Sequence, residues 1–195
     1  YGTAEDDVLF GNSSDNFMYG IGGDDTFMGS AGADELHGSD GKDTADYSQS
    51  RSAVTVELLA GTGKGGDAQG DRYVSIENVT GSSYADRLNG DNSANTLDGG
   101  SGHDDIDAGA GHDIVDGGNG DDRIRGAKGS DILRGGDGDD NIGGGKGDDI
   151  ARGGKGADTI NGNSGPDRLF GNAGRDALDG GSGSDTCKGG SGADT

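Results

Sequence analysis

The chain is acidic and poor in apolar side chains. It has 195 residues, a formal net charge of −22 at pH 7, 46 glycines and a hydrophobic content of only 27%. This excess of acidic groups disfavours nucleic acid and anionic membrane surfaces as direct partners, because like charges repel. The sequence contains no apolar run long enough to span a bilayer and no cleavable signal peptide. Composition alone is typical of a disordered chain, so a fold needs stabilisation beyond a hydrophobic core.

Residues 2 to 46 consist of five consecutive nine-residue copies, GTAEDDVLF, GNSSDNFMY, GIGGDDTFM, GSAGADELH and GSDGKDTAD. Glycines in the first half of a copy permit a tight turn. The last three residues predict a very short strand whose middle side chain, at the eighth place, faces an interior. The sixth-place residues are Asp7, Asn16, Asp25, Asp34 and Asp43, and the eighth-place residues are Leu9, Met18, Phe27, Leu36 and Ala45.

Residues 47 to 80 interrupt this phase, because 43 residues separate the first glycines of the copies on either side. Alternation of apolar and polar residues predicts two longer strands here, flanking a glycine-rich loop at 61 to 70. The alternating apolar residues are Val54, Val56, Leu58, Val74 and Ile76. We expect the insert to continue the stack of repeats with a looser turn and a protruding loop. The alternative is a flexible linker between two separate stacks.

Residues 81 to 195 form a second block of twelve complete copies and one truncated copy. The residues expected in its interior are Leu88, Leu97, Ile106, Val115, Ile124, Leu133, Ile142, Ala151, Ile160, Leu169, Leu178 and Cys187. Because the sequence starts without Met and stops within a copy, we expect it to be an excerpt of a longer protein.

The sixth-place acids set a constraint on any stacked arrangement. A single copy cannot bury its apolar residue, so the copies are expected to stack. Stacking brings the sixth-place carboxylates within about 5 Å of each other, where they repel. A hard divalent cation bound by carboxylates and loop carbonyls removes this conflict; calcium fits, whereas magnesium needs a stricter octahedron and zinc prefers nitrogen or sulfur. The pattern therefore predicts several calcium ions and an unfolded metal-free chain.

Six complete copies match the phrase GGxGxDxUx in full, in which U is apolar, as in GGSGHDDID and GGDGDDNIG, and most of the others keep its fourth-place glycine and sixth-place aspartate. The phrase resembles the nonapeptide of the RTX (repeats-in-toxin, hemolysin-type) calcium-binding repeat family. The resemblance implies an all-β fold, namely a right-handed parallel β-roll, or β-solenoid, with two nonapeptides per turn. It also implies calcium between the stacked loops of copies i and i+2, and the gaps between loops allow at most about 14 ions. The candidate metal ligands are Asp25, Asp34, Asp43, Asp104, Asp113, Asp122, Asp131, Asp140, Asp149, Asp158, Asp167, Asp176, Asp185 and Asp194, with Asp7 and Asp86 as weaker candidates.

The first two copies of each block depart from the phrase in the same way. Glu5 and Tyr84 replace the fourth-place glycine of the first copy, and Asn16 and Asn95 replace the sixth-place aspartate of the second. We interpret these copies as caps that bind calcium weakly or not at all. Simple decay of the repeat is the alternative.

Three isoleucines, Ile114, Ile132 and Ile150, occupy outward seventh places on adjacent turns. Strand propensity and packing between turns explain such a stripe. The alternative is a contact surface for a catalytic domain, a neighbouring roll or a second copy of the protein.

Three functional classes remain. The resemblance favours a secreted calcium-binding module, exported by type I secretion, that folds outside the cell and supports secretion, stability or presentation of a larger bacterial protein. One alternative is an adhesin or surface-layer segment that acts as a spacer or lattice contact. The other is the accessory C-terminal part of an extracellular protease, lipase or alginate epimerase. We expect no enzyme activity in this fragment, an extracellular or cell-surface location, and no direct membrane insertion.

Overall fold

The strands form two sheets that face each other across one column of apolar side chains, in a computed structural model that describes all 195 residues. The ten-stranded sheet contains, in spatial order, β1 (Val8–Phe10), β3 (Thr26–Met28), β5 (Thr44–Asp46), β9 (Asn78–Thr80), β11 (Thr96–Asp98), β13 (Ile114–Asn119), β15 (Ile132–Asp137), β17 (Ile150–Lys155), β19 (Arg168–Ala173) and β21 (Thr186–Ser191). The eleven-stranded sheet contains β2 (Phe17–Gly22), β4 (Glu35–Asp40), β8 (Arg72–Val74), β7 (Thr62–Lys64), β6 (Thr55–Glu57), β10 (Arg87–Asn89), β12 (Asp105–Asp107), β14 (Arg123–Lys128), β16 (Asn141–Lys146), β18 (Thr159–Ser164) and β20 (Ala177–Asp179). The only helical element is a single 3-10 turn at Gly66–Ala68.

The register of the strands confirms two nonapeptides per turn. Leu133 pairs with Val115 on one side and with Ala151 on the other, so each strand pairs in parallel with the strand 18 residues away. Consecutive copies alternate between the two sheets. The all-β parallel solenoid that the repeat predicts is therefore the observed fold.

The eighth-place side chains form the core. Residues such as Leu88, Ile106, Leu133 and Ile160 have no exposed surface, and the neighbouring seventh- and ninth-place residues point outward. The expectation was wrong at the last turn. Cys187 is exposed, because β21 is an edge strand of its sheet.

Glycine is required where successive loops touch. At Gly120, φ is 127°, and an added Cβ would collide with the carbonyl oxygen of Gly102 in the loop one turn below. A side chain at this place would therefore push adjacent turns apart.

Strands of the insert lie in the same two sheets as the strands of the repeats. In the ten-stranded sheet β9 pairs in parallel with β5 on one side and with β11 on the other. In the eleven-stranded sheet β4 pairs with β8, and β6 pairs with β10, also in parallel. Between them, β7 runs antiparallel to both β6 and β8. The segment expected to be only a loop thus contains a strand, because Gly63 lets the chain approach the hydroxyl of Tyr73 and the carbonyl of Ala68 without a side chain in the way.

A buried polar network holds the insert against the first repeats. The Tyr47 hydroxyl donates to Asp71 Oδ2 at 2.6 Å and lies 2.7 Å from the hydroxyl of Tyr73. Because Tyr47 uses its proton for Asp71, Tyr73 must be the donor between the two tyrosines. Tyr47 is fully buried and Asp71 is 1% exposed. Burial raises the pKa of Asp71 to about 6, against the lowering effect of the hydrogen bond from Tyr47.

We predict that Tyr47→Phe destabilises the folded chain by about 1–3 kcal/mol, because Asp71 Oδ2 would be left buried without a donor. Tyr73→Phe is the matched control. It removes one hydroxyl–hydroxyl bond, worth about 0.5–1.5 kcal/mol, and leaves Asp71 satisfied. Urea unfolding in saturating calcium measures both variants, and equal costs would contradict the assigned direction of the network.

Candidate metal sites

The sixth-place residue of each copy lies directly before its strand and is tied to the next turn. The backbone N–H of Asp104 donates to Asp122 Oδ1 at 2.8 Å, and that of Asp131 donates to Asp149 Oδ1 at 2.9 Å. All fourteen stronger candidates accept such a bond from the residue 18 positions earlier in the chain. We call this series of bonds the carboxylate ladder. These bonds hold the sixth-place aspartate side chains of the ladder in one orientation.

The second carboxylate oxygen along the ladder has no partner. Twelve Oδ2 atoms are buried and accept no hydrogen bond, those of Asp25, Asp34, Asp43, Asp104, Asp113, Asp122, Asp131, Asp140, Asp149, Asp158, Asp167 and Asp176. Leaving a buried charged oxygen unsatisfied is costly. A row of such atoms therefore requires a positively charged partner or protonation.

Ten of the twelve unpartnered oxygens face a small space beside the first-place glycine of their own copy. The exceptions are Asp34, where the Tyr47 ring lies beside the glycine, and Asp113, whose copy begins with Ala108. A Cβ built on Gly144 would lie 2.5 Å from Asp149 Oδ2 and 2.8 Å from the carbonyl oxygen of Gly162. The corresponding distances at Gly99 are 2.5 Å to Asp104 Oδ2 and 2.6 Å to the Gly117 carbonyl. A carboxylate oxygen and a carbonyl oxygen of the next turn thus converge on one point.

The donor set of these spaces is made of oxygen atoms. No group of three or more His, Cys, Asp or Glu side chains gathers anywhere in the chain. Backbone carbonyls would therefore have to supply much of any coordination shell. Carboxylate and carbonyl oxygens suit calcium, and the lack of nitrogen and sulfur makes the set a poor one for zinc. The residues present fit calcium.

Burial raises the pKa values of the ladder aspartates from Asp104 to Asp167. The pKa rises to about 7 for Asp104 and Asp140, and to about 6 for Asp113 and Asp149. Desolvation is the largest cause, and repulsion from carboxylates on neighbouring turns adds to it, while the ladder N–H bond opposes both. Without a cation, the folded roll favours the protonated acids.

The nine-residue sequence pattern does not identify two further acids, which belong to the insert, because they lie outside its phase. Asp71 Oδ1 accepts the N–H of Asp34 at 2.8 Å, and Glu77 Oε2 accepts the N–H of Asp43 at 3.0 Å. Both directly precede a strand, β8 or β9, which is the signal that could have found them. Asp71 does not fit a cation site, because Tyr47 already occupies its Oδ2.

The opening copies of each block close their loops differently. Asp7 Oδ2 accepts the N–H of Thr3, and Asp86 Oδ2 accepts that of Ser82, each four residues earlier. In the second copies Asn16 and Asn95 accept N–H bonds from within their own loops in the same way. Side chains in these copies are satisfied by their own backbone, unlike the ladder acids of the later copies.

A parallel β-solenoid with a buried carboxylate ladder is the class of protein that these features define. The sequence model of the RTX calcium-binding nonapeptide repeat matches residues 1–27, 19–48, 80–115, 116–151, 143–165, 152–187 and 162–195. The chain therefore belongs to the family of RTX calcium-binding repeats. No curated protein matches it. None of its helical segments has the length and apolar character needed to cross a membrane.

We predict that Gly144→Ala weakens calcium binding, because the new methyl group would fill the space between Asp149 Oδ2 and the Gly162 carbonyl. Gly143→Ala is the control in the same strand, since its Cβ would meet only Asn163 Nδ2 at 3.6 Å and the Ile124 carbonyl at 4.0 Å. Isothermal titration calorimetry should show fewer bound ions for the first variant and an unchanged number for the second. Identical stoichiometry in both variants would rule out a cation at this position.

The raised pKa values predict opposite effects of acid with and without calcium. Unfolded aspartate has a pKa of about 3.9, so the ladder acids from Asp104 to Asp167 bind more protons when folded. Their contribution to the metal-free fold is complete below that pKa and is lost as the pH rises through about 6 to 7. In chelator, lowering the pH from 7.5 to about 4.5 should therefore increase β-structure measured by circular dichroism. In calcium the same change should release the ion and lower stability, because protons compete for the ligands; a metal-free signal independent of pH would contradict the argument.

Proposed function

We propose that this chain is a calcium-dependent folding module, disordered without calcium and folded as a roll when calcium is bound. The row of twelve buried, unpartnered Oδ2 atoms is the observation that carries this proposal. Calcium, when bound, supplies positive charge to these oxygens and links adjacent loops. The ladder N–H bonds orient the carboxylates, and the first-place glycines keep the space beside them open.

The ligands we propose are the fourteen sixth-place aspartates from Asp25 to Asp43 and from Asp104 to Asp194, in the copies that follow the phrase. Asp7 and Asp86 are weaker candidates, because each already accepts a hydrogen bond at Oδ2. The spaces between loops set an upper limit of about 14 ions. Vacancies are expected in the opening copies, where Asn16 and Asn95 also lack the full charge.

An extracellular setting suits such a module. Calcium sites of extracellular modules bind at about 10⁻⁴ to 10⁻³ M, which keeps a chain metal-free inside a cell and loads it outside. A net charge of −22 opposes compaction of the metal-free chain during export. We therefore propose a role in secretion, stability or presentation of a larger secreted protein.

A second candidate role is that of a spacer in an adhesin or surface layer. Ten rungs of one continuous sheet give a rod of roughly 48 Å at the usual strand spacing. The structure offers no comparable observation in favour of an enzyme accessory role, and we propose no catalytic step for this chain.

We predict a cooperative change from coil to β-structure when calcium, but not magnesium, is added to the metal-free chain. Asp149→Asn should raise the calcium concentration at the midpoint several-fold, because it removes a ligand charge while keeping the Oδ1 acceptor. Asp148→Asn makes the same change in net charge at an exposed neighbour and should leave the midpoint in place. Far-ultraviolet circular dichroism measures all three chains. A wild-type chain already folded in chelator at neutral pH would overturn the proposal.

A further inference from the structure

The outward face of the ten-stranded sheet carries an ordered column of charges. Its ninth-place residues, read from the first turn to the last, are Phe10, Met28, Asp46, Thr80, Asp98, Asp116, Arg134, Arg152, Phe170 and Lys188. All charges before the middle of the column are negative, and all charges after it are positive. We call this series the charged column.

A second column runs beside the first on the same face. Its seventh-place residues, in the same order, are Val8, Thr26, Thr44, Asn78, Thr96, Ile114, Ile132, Ile150, Arg168 and Thr186. The isoleucines lie beside the point where the charged column changes sign. Ile114 is 45% exposed. The face therefore has an apolar centre with acidic and basic halves on either side.

Three of the four cations in the two columns have no acidic partner within the chain. Arg152, Arg168 and Lys188 surround the ring of Phe170 at 5.2, 5.8 and 5.8 Å, and none of the three forms an ion pair. Among the cations of the two columns, only Arg134 approaches an acid, Asp116, at 3.7 Å. Three cations around one ring repel each other unless an anion joins them. This arrangement is unusual in a chain of net charge −22.

The opposite face does not share this feature. On the eleven-stranded sheet Arg87 lies 4.0 Å from Asp105, and Arg125 lies 3.0 Å from Asp107. Opposite charges lie on adjacent turns there, although Arg72 and Arg123 form no ion pair. The ten-stranded sheet is thus the face on which the charges are separated by sign along the column.

We propose that two folded copies of this chain pack their ten-stranded sheets against each other with antiparallel roll axes. The twofold axis lies between the two faces, runs parallel to the strands and is level with the gap between β13 and β15. It reverses the order of the turns in the second copy. Each column then faces the same column of the second copy. Asp116 then faces Arg134 of the second copy, Asp98 faces its Arg152, and Asp46 faces its Lys188. Ile114 faces Ile132 of the second copy at the centre. The pattern is self-complementary, as an isologous interface requires.

Packing with parallel roll axes lacks this match. Each turn would then face the same turn of the other copy, so the acidic half would meet the acidic half and the basic half would meet the basic half. Like charges brought together in this way cost several kcal/mol. The charged column therefore selects the antiparallel arrangement.

The size of the face sets the expected strength. The eight turns from β5 to β21 overlap in this arrangement, and at about 4.8 Å for each turn and a width of about 10 Å they give roughly 400 Å² for each copy. About 800 Å² in total is below the usual range of stable, specific interfaces. The dimer should therefore be weak, dependent on concentration and weakened by salt.

The proposal rests on the calcium-folded roll, and a charge swap tests it. Sedimentation velocity in calcium at low salt should show a dimer for the wild-type chain. Arg152→Asp and Asp98→Arg should each weaken dimerisation about tenfold or more, because each places like charges opposite each other at two equivalent positions. The double variant restores both pairs and should recover the dimer. Ile132→Lys should abolish dimerisation by placing charge at the apolar centre.

Circular dichroism of the same samples separates this proposal from the proposed function. A wild-type chain that folds with calcium but stays monomeric at all concentrations would overturn the dimer alone, as would a dimer that survives both single charge changes. If each single variant loses the dimer and the double variant does not recover it, the two residues do not face each other. This result would also overturn the proposed dimer. A chain that fails to fold in calcium would overturn the proposed function together with the dimer. A polyuronate, as an example of an acidic polysaccharide, should be added to the wild-type chain as well. If it binds a monomer through Arg152 and Lys188, an acidic polysaccharide rather than a second copy occupies this face.

Discussion

The structure depends on how a buried row of carboxylates is satisfied. In each regular copy Oδ1 receives a backbone N–H from the preceding turn, and this bond holds Oδ2 in the interior of the loop. Other N–H groups of the loop stack the turns, as in the bonds from Gly120 to the Asp137 carbonyl and from Gly138 to the Lys155 carbonyl. None of them donates to the buried Oδ2 atoms. The geometry that makes the roll regular is therefore the same geometry that creates the need for a cation.

Two parts of the chain meet this need without a cation. In the insert, Tyr47 donates to Asp71, so a hydroxyl group satisfies the Oδ2 atom that has no partner in the regular copies. In the opening copies, a bond from Thr3 or Ser82 closes the loop onto its own acid. These segments share the roll's strand register but not its unpartnered oxygens. At the first turn and beside the insert, the Oδ2 atom of the acid is therefore satisfied by a protein group.

The regular part of the fold could be predicted because one nine-residue unit determines it. The eighth-place residues from Leu88 to Leu169 lie in the core, as their period indicates. The insert could be predicted only as a break in phase, since strand β7 and the role of Asp71 depend on contacts with Tyr47 and Tyr73 that are distant in the sequence. The exposure of Cys187 follows from the edge position of β21 in its sheet rather than from any property of its copy. Sequence periodicity thus describes what repeats, while the exceptions require the three-dimensional contacts.

The outward columns are the part of each copy that the fold leaves free to vary. Stacking of the turns requires the loop glycines, the sixth-place acid and the eighth-place apolar residue. The fold therefore explains these residues, and they indicate no further function. Stacking does not determine the seventh- and ninth-place side chains on the ten-stranded sheet. Their charges are nevertheless separated by sign, since Asp98 and Asp116 precede Arg134 and Arg152. Strand stability would be served better by alternation, as on the opposite sheet, where Asp107 pairs with Arg125. The separation is therefore explained by a surface outside the chain, and a reversed copy of the same column supplies one.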